Sequence, residues 1–263
     1  MPMGRLIVRV AVAAAIMASA PAGAQAQNAR EVLAPKGKLR VGAYLGSPLS
    51  MVRDSKTGEI HGLSIDLGKE LAKRLDVPFE QVSYQRIAEV LAGMKAGDVD
   101  FTVSNATPAR AADVLFSQTL ISLELGYLVP VASPIASLPD VDQPGLRVGV
   151  THGSTSQGTI PKLLPNATVV PAQNAARAIE MFERRELDLF ATNKPTLFEM
   201  SDQMPGARVL EGRWGVENIA VAIPRGREAA MEYLRHFVEE AQTSGLLSQA
   251  VERAGLRGVV RAQ

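Results

Sequence analysis

No cysteine occurs in the 263 residues. That absence excludes disulfide scaffolds, thiolate nucleophiles, cysteine-ligated zinc and iron–sulfur clusters together. Histidine is scarce as well. His61, His152 and His236 are the full set, and no two stand at the spacing of helix-borne metal ligands. Neither sign of charge dominates: 28 Lys plus Arg face 27 Asp plus Glu. Without a basic excess, nucleic acid is not an expected partner. The sequence has no Gly-x-Ser-x-Gly elbow, no phosphate-loop Gly-Lys-Ser/Thr and no His-Glu-x-x-His, so no familiar catalytic motif marks an enzyme. What is present is an ordinary globular balance, 46% hydrophobic and 21% charged, at a length that suits two lobes or domains.

The first residues read as an export signal. Arg5 and Arg9 give a positive start, Val10 to Ala20 is uncharged, and Ala24-Gln25-Ala26 is a small-x-small cleavage pattern. The uncharged run is shorter than the roughly 20 apolar residues a bilayer span needs. Cleavage after Ala26 removes 26 of 263 residues, leaves 237, and moves the formal charge from +1 to −1 because two Arg and no acid depart. The expected product is a soluble periplasmic protein whose stability comes from its core.

Strand and helix signals alternate through the rest, as in an α/β protein. Leu39 to Ala43 reads as a strand. Ser64 to Leu75 reads as an amphipathic helix with Ser64 and Asp66 as a polar start. Asp54 to Gly58 reads as a hairpin tip. Arg86 to Lys95 reads as a second helix, broken at Gly97-Asp98 before the alternating Val99, Phe101 and Val103.

The chain also repeats itself. Leu39-Arg40-Val41-Gly42-Ala43-Tyr44-Leu45-Gly46-Ser47 matches Leu146-Arg147-Val148-Gly149-Val150-Thr151-His152-Gly153-Ser154 at Leu, Arg, Val, both Gly and Ser. Val99 to Asn105 is echoed by Leu187 to Asn193, each strand pattern ending in Ser/Thr-Asn. Two related α/β units joined by crossing strands make a cleft, and ligands of open α/β sheets lie beyond the carboxyl ends of the strands. Gly46-Ser47 and Ser104-Asn105 then stand on one wall, and Gly153-Ser154-Thr155 and Thr192-Asn193 on the other. The crossings are expected near Glu124 to Val131 and Asn218 to Ala222.

At this point the sequence resembles the periplasmic solute-binding proteins of ABC importers, family 3, the polar-amino-acid group. The carrying segments are Gly62-Leu63-Ser64-Ile65-Asp66-Leu67, Ala96-Gly97-Asp98-Val99-Asp100, Thr107-Pro108-Ala109-Arg110 with Val114-Leu115-Phe116-Ser117, and Gly153-Ser154-Thr155. The resemblance implies a type II, two-lobed periplasmic-binding-protein-like α/β fold. Each lobe is a mixed sheet flanked by helices, and two hinge strands join the lobes. Residues 37–126 with 222–263 form the first lobe and 127–221 the second. It also implies that Arg110 grips a ligand carboxylate with hydroxyls and amides around Thr107, Ser154 and Thr155. Ser104, Asn105, Tyr44 and Asn193 complete the expected site. A guanidinium fork suits a carboxylate, and loop amides at helix N-termini favour an anion.

Two departures from the family pattern stand out. The first-strand loop, Ala43-Tyr44-Leu45, has no acid, and Thr192-Asn193-Lys194-Pro195 has an amide where the family has a second acid. These are the positions that hold a ligand ammonium in the family, so acids without a free α-amino group are the expected ligands. Glu124 and Glu217 lie near the hinges; either could supply the missing negative charge, but both are read as solvated or in hinge salt bridges, and Trp214 is read as a packing anchor. The expected protein is therefore an exported monomer that delivers a small anionic solute to an ABC permease and needs no cofactor. Its rivals are a cyclohexadienyl-dehydratase-like enzyme using Glu124 or Glu217 as acid, and an accessory or sensor subunit of a redox system.

Overall fold

The structure is a computed structural model and describes residues 22–54 and 57–260. Residues 1–21 of the expected export signal lie outside the described residues. Helix α1 (Ala22–Leu33) follows, and Ala29 and Leu33 bury its inner face.

The first α/β unit runs β1 (Leu39–Tyr44), the hairpin β2 (Val52–Arg53) and β3 (Ile60–His61), α2 (Leu63–Arg74), β4 (Phe79–Tyr84), α3 (Ile87–Ala96), β5 (Thr102–Asn105) and the short α4 (Pro108–Ala111). A long strand, β6 (Val114–Val129), leads into the second unit. That unit holds β7 (Arg147–Thr151), α5 (Thr155–Leu163), β8 (Thr168–Ala172), α6 (Ala175–Glu183), β9 (Leu189–Asn193), α7 (Lys194–Gln203) and β10 (Arg208–Val209). The chain returns along β11 (Gly215–Pro224) and ends in α8 (Met231–Thr243), α9 (Leu246–Arg253) and β12 (Val259–Val260).

The lobes share two strands. β6 and β11 pair antiparallel from Gly215↔Leu125 to Pro224↔Val114. In the first lobe β11 also pairs β5 over Ile219 to Ala222. A parallel bridge, Val41↔Phe101, ties β1 to the residues before β5, and β1 pairs β4 in parallel. In the second lobe β6 pairs β9 over Leu125 to Leu128, while β9 and β8 flank β7 in parallel. Both lobes thus have the mixed sheet expected of them. β11 starts at Gly215, three residues before the expected crossing at Asn218. Glu217 therefore lies on a hinge strand rather than ahead of it.

Each sheet is covered on both faces, which is how a half-parallel sheet buries its apolar strands. In the first lobe α2 and α8 bury Leu67, Leu71, Leu234 and Phe237 against Leu39, Val41 and Phe101. On the other face α3 buries Val90 and Met94 against Val99 and Ala222. In the second lobe Ile160 packs on Val148, Val150 and Leu189, and Phe182, Leu197 and Met200 pack on Leu128 and Phe190.

The repeated residues now have physical reasons. Arg40 clasps Asp100: its Nε and Nη2 donate to the two carboxylate oxygens at 2.7 Å, and its backbone N–H donates at 3.0 Å. Arg147 clasps Asp188 through the same three donors at 2.8–3.0 Å. Each clasp locks the first strand of a unit to the start of its later strand. The repeated Gly42 and Gly149 sit where a Cβ would meet Val90 at 2.7 Å and Phe190 at 2.5 Å. They let a helix or a neighbouring side chain press onto the strand. One local expectation is corrected. Ser64 does not cap α2, whose N-cap is Gly62. Its buried hydroxyl donates to the Leu49 carbonyl and accepts from the Val103 N–H, both at 3.1 Å, pinning the helix to β5.

Candidate functional site

The carboxyl ends of β1, β5, β7 and β9 face one another across a cleft of about 60 Å³. Tyr44, Ser104, Asn105 and Arg110 line it from the first lobe, and Ser154, Thr155 and Asn193 from the second. Contacts cross it directly. Asn105 Nδ2 lies 3.4 Å from Thr155 Oγ1, and Thr196 Oγ1 donates to Ser47 Oγ at 3.3 Å in a buried contact. Gly153, whose φ is +73°, lies against Ala88 of α3, where an added Cβ would stand 2.6 Å from the Ala88 Cβ. The lobes are therefore closed on each other, and the Gly-Ser loop of the second repeat forms part of the seam.

Arg110 is set by α4. Thr107 is the N-cap, with its hydroxyl accepting the Arg110 N–H at 3.3 Å, and Pro108 fits the first turn, where no N–H is needed. This turns the Arg110 side chain back over β5. Its Nη1 donates to Ser104 Oγ at 2.8 Å and to the Asn105 carbonyl at 3.3 Å. Among the described residues no carboxylate lies within 4 Å of the guanidinium. Burial lowers its pKa from the ordinary value, opposed by the negative field of Glu217. Thr107 itself does not line the cleft. Its hydroxyl fixes the backbone that carries Arg110.

Ser154 and Asn193 each cap a helix that starts at the cleft. Ser154 Oγ accepts the Gln157 N–H at 3.3 Å at the head of α5, and Asn193 Oδ1 accepts the Thr196 N–H at 3.1 Å at the head of α7. Two helix N-termini thus point toward the cleft, which favours an anion there. Tyr44 holds its ring in the same cavity, and burial raises its pKa.

The residue that sequence reasoning set aside is Glu217. It is neither solvated nor salt-bridged. It is 7% exposed and sits between the two echoed asparagines. Asn105 Nδ2 donates to Oε2 at 2.8 Å, and Asn193 Nδ2 donates to Oε1 at 2.9 Å. Burial raises its pKa from 4.5 to about 7, while Arg110 and the two amides pull it down. A carboxylate therefore enters the cleft from hinge strand β11. The sequence signal was present but indirect: two asparagines at matching repeat positions imply a common acceptor. Glu124, by contrast, is salt-bridged as expected, to Lys194 and Arg213. Trp214 packs at 6.2 Å from Tyr127 and donates Nε1 to the Gly126 carbonyl at 2.8 Å.

A two-lobed α/β protein with an arginine and a carboxylate inside its closed cleft is built as a solute-binding protein. Comparison with known sequences places it. Residues 39–255 match the bacterial extracellular solute-binding proteins, family 3, and the chain belongs to that family. It is 27% identical to a glutamine-binding protein of Geobacillus stearothermophilus over 194 residues, 72% of this chain and 74% of that one. Among solved structures, a mutant of ArgBP from T. maritima superposes with a TM-score of 0.77 at 21% identity, covering 87% of this chain and all of that one. An ancestral amino acid-binding protein, a precursor of cyclohexadienyl dehydratase, gives 0.74 at 24% identity, covering 85% and 98%. At these identities the two structures establish the shared two-lobed fold. Among the described residues no helix is long and apolar enough to cross a membrane.

Proposed function

We propose that this chain is the exported, periplasmic binding component of an ABC importer. It captures a small carboxylate-bearing solute, an amino acid or a related organic acid, and presents it to the permease. The observation that carries this is Arg110, half-buried in the inter-lobe cleft with a serine hydroxyl and a carbonyl as partners and no carboxylate in contact. Such a guanidinium favours a ligand carboxylate, which neutralises it bidentately. Ser154 and Thr155 would meet the same solute from the opposite wall, so binding favours the closed state. Residues 37–126 with 222–263, and 127–221, would then act as the two moving lobes. Kinship with glutamine-binding proteins supports an amino acid as the solute. The buried Glu217 supports an ammonium on it, because a carboxylate between two amides matches that charge.

Calorimetry on Arg110→Ala tests the assignment. Binding should be lost while thermal unfolding stays cooperative; unchanged affinity would remove the anion site. A titration across pH tests the ammonium. Affinity for an amine-bearing solute should rise from pH 5 to pH 8 as Glu217 ionises, and affinity for an amine-free acid should fall.

One observation favours a second reading, a dehydratase-type enzyme. Glu217, with a pKa near neutrality in a closed cleft, has the property a general acid needs. Turnover of prephenate or arogenate by the purified protein would replace the transport assignment.

A further inference from the structure

The cleft lining carries three charged residues: Arg86, Arg110 and Glu217. The capture mechanism employs the last two and leaves Arg86 without a task. Arg86 stands at the head of α3, on the same wall as Arg110, with its side chain 16% exposed. Its Nη2 lies 3.0 Å from Glu89 Oε1, one turn along. The other Glu89 oxygen accepts the Gln85 N–H at 3.0 Å. Nε and Nη1 of Arg86 are buried and have no hydrogen-bond partner.

A structural arginine in this protein looks different. Arg40 is also buried, and its Nε, Nη1 and Nη2 are filled by Asp100 and the Gly97 carbonyl. Leaving buried donors unmet is costly, and the Glu89 contact occupies only one corner of the guanidinium. Solvent does not reach Nε and Nη1 of Arg86, so they are free to meet an acceptor that enters the cleft.

We infer that Arg86 forms a second anion subsite, and that the solute carries two anionic groups, one for Arg110 and one for Arg86. This rests on the capture reading above and specifies its ligand. An amino acid with an anionic side chain and an amine-free dicarboxylate both fit this description, each presenting two anions at a separation set by the two arginines.

The test is calorimetry of acid–amide pairs against the purified protein: aspartate with asparagine, glutamate with glutamine, and succinate and glutarate with their monoamides. In the wild type the acid should bind about 10- to 100-fold tighter than its amide, the worth of one charge-assisted hydrogen-bonding group. Arg86→Gln should bring that ratio close to one, and Arg86→Lys should restore part of it. A wild-type ratio of one, a ratio unmoved by Arg86→Gln, or binding confined to neutral or cationic amino acids overturns the second subsite and leaves the capture reading standing. Failure of every amino acid and organic acid to bind overturns the capture reading, and this inference with it.

Discussion

Replacing Glu217 with Gln isolates the electrostatics of the cleft. Burial holds the Glu217 pKa at about 7 in the folded chain against 4.5 ordinarily. Between those values the folded state keeps a proton that the unfolded state releases. The carboxyl therefore contributes stability that is fully present below pH 4.5 and is lost as pH rises through about 7. A displacement of that size is worth about 3 kcal/mol. Glutamine stays neutral throughout and has no such dependence. Its –NH2 stands where the protonated carboxyl places its O–H, against one of the two asparagine amides, so the two side chains are matched at low pH. The ligand-free variant should thus match wild type to within about 1 kcal/mol near pH 4.5 and be more stable by about 3 kcal/mol near pH 8. Urea unfolding at a series of pH values, with m-values compared, measures the divergence. Two parallel stability curves would show that Glu217 titrates as an exposed carboxylate, and the burial argument would fail.

Two further outcomes follow from the packing. Ala88→Phe places a ring where Gly153 closes against α3; it should weaken ligand binding about 5- to 100-fold in calorimetry, since overpacking costs about 1–3 kcal/mol. The repeated clasps should differ in worth despite identical chemistry. Asp100→Ala strands Arg40 and Arg227 at 6% and 12% exposure and should cost about 3–5 kcal/mol. Asp188→Ala leaves an Arg147 that is 39% exposed and should cost at most about 1 kcal/mol in the same denaturation assay.

Much of the architecture was legible in order and spacing. The helix break at Gly97, the hairpin at Asp54 to Gly58 and the crossing near Glu124 follow from local chemistry: a left-handed glycine, a turn cluster and an apolar strand run. The repeat was legible because its residues answer to backbone geometry. Leu39 and Val41 face the core, Gly42 allows close packing, and Arg40 reaches one particular aspartate. Ser64 was misread because a serine at a helix start usually caps it; here the helix is buried at that end, and the hydroxyl serves two backbone groups from other segments.

The sequence by itself determined that the chain is an α/β repeat with a cleft between its units, and it marked Arg110 in the Thr107-Pro108-Ala109-Arg110 segment. Those features depend on neighbours within a few residues or on a repeated pattern. Only the tertiary structure decided where the cleft's negative charge comes from. Glu217 lies 107 positions from Arg110 in the numbering, on a strand that reads as apolar hinge. It becomes a cleft residue because β11 runs antiparallel beside β5 and brings it between Asn105 and Asn193. Burial then sets its pKa, and burial belongs to the closed pair of lobes. The fold also buries two donors of Arg86, which in the sequence is one arginine at the head of a helix.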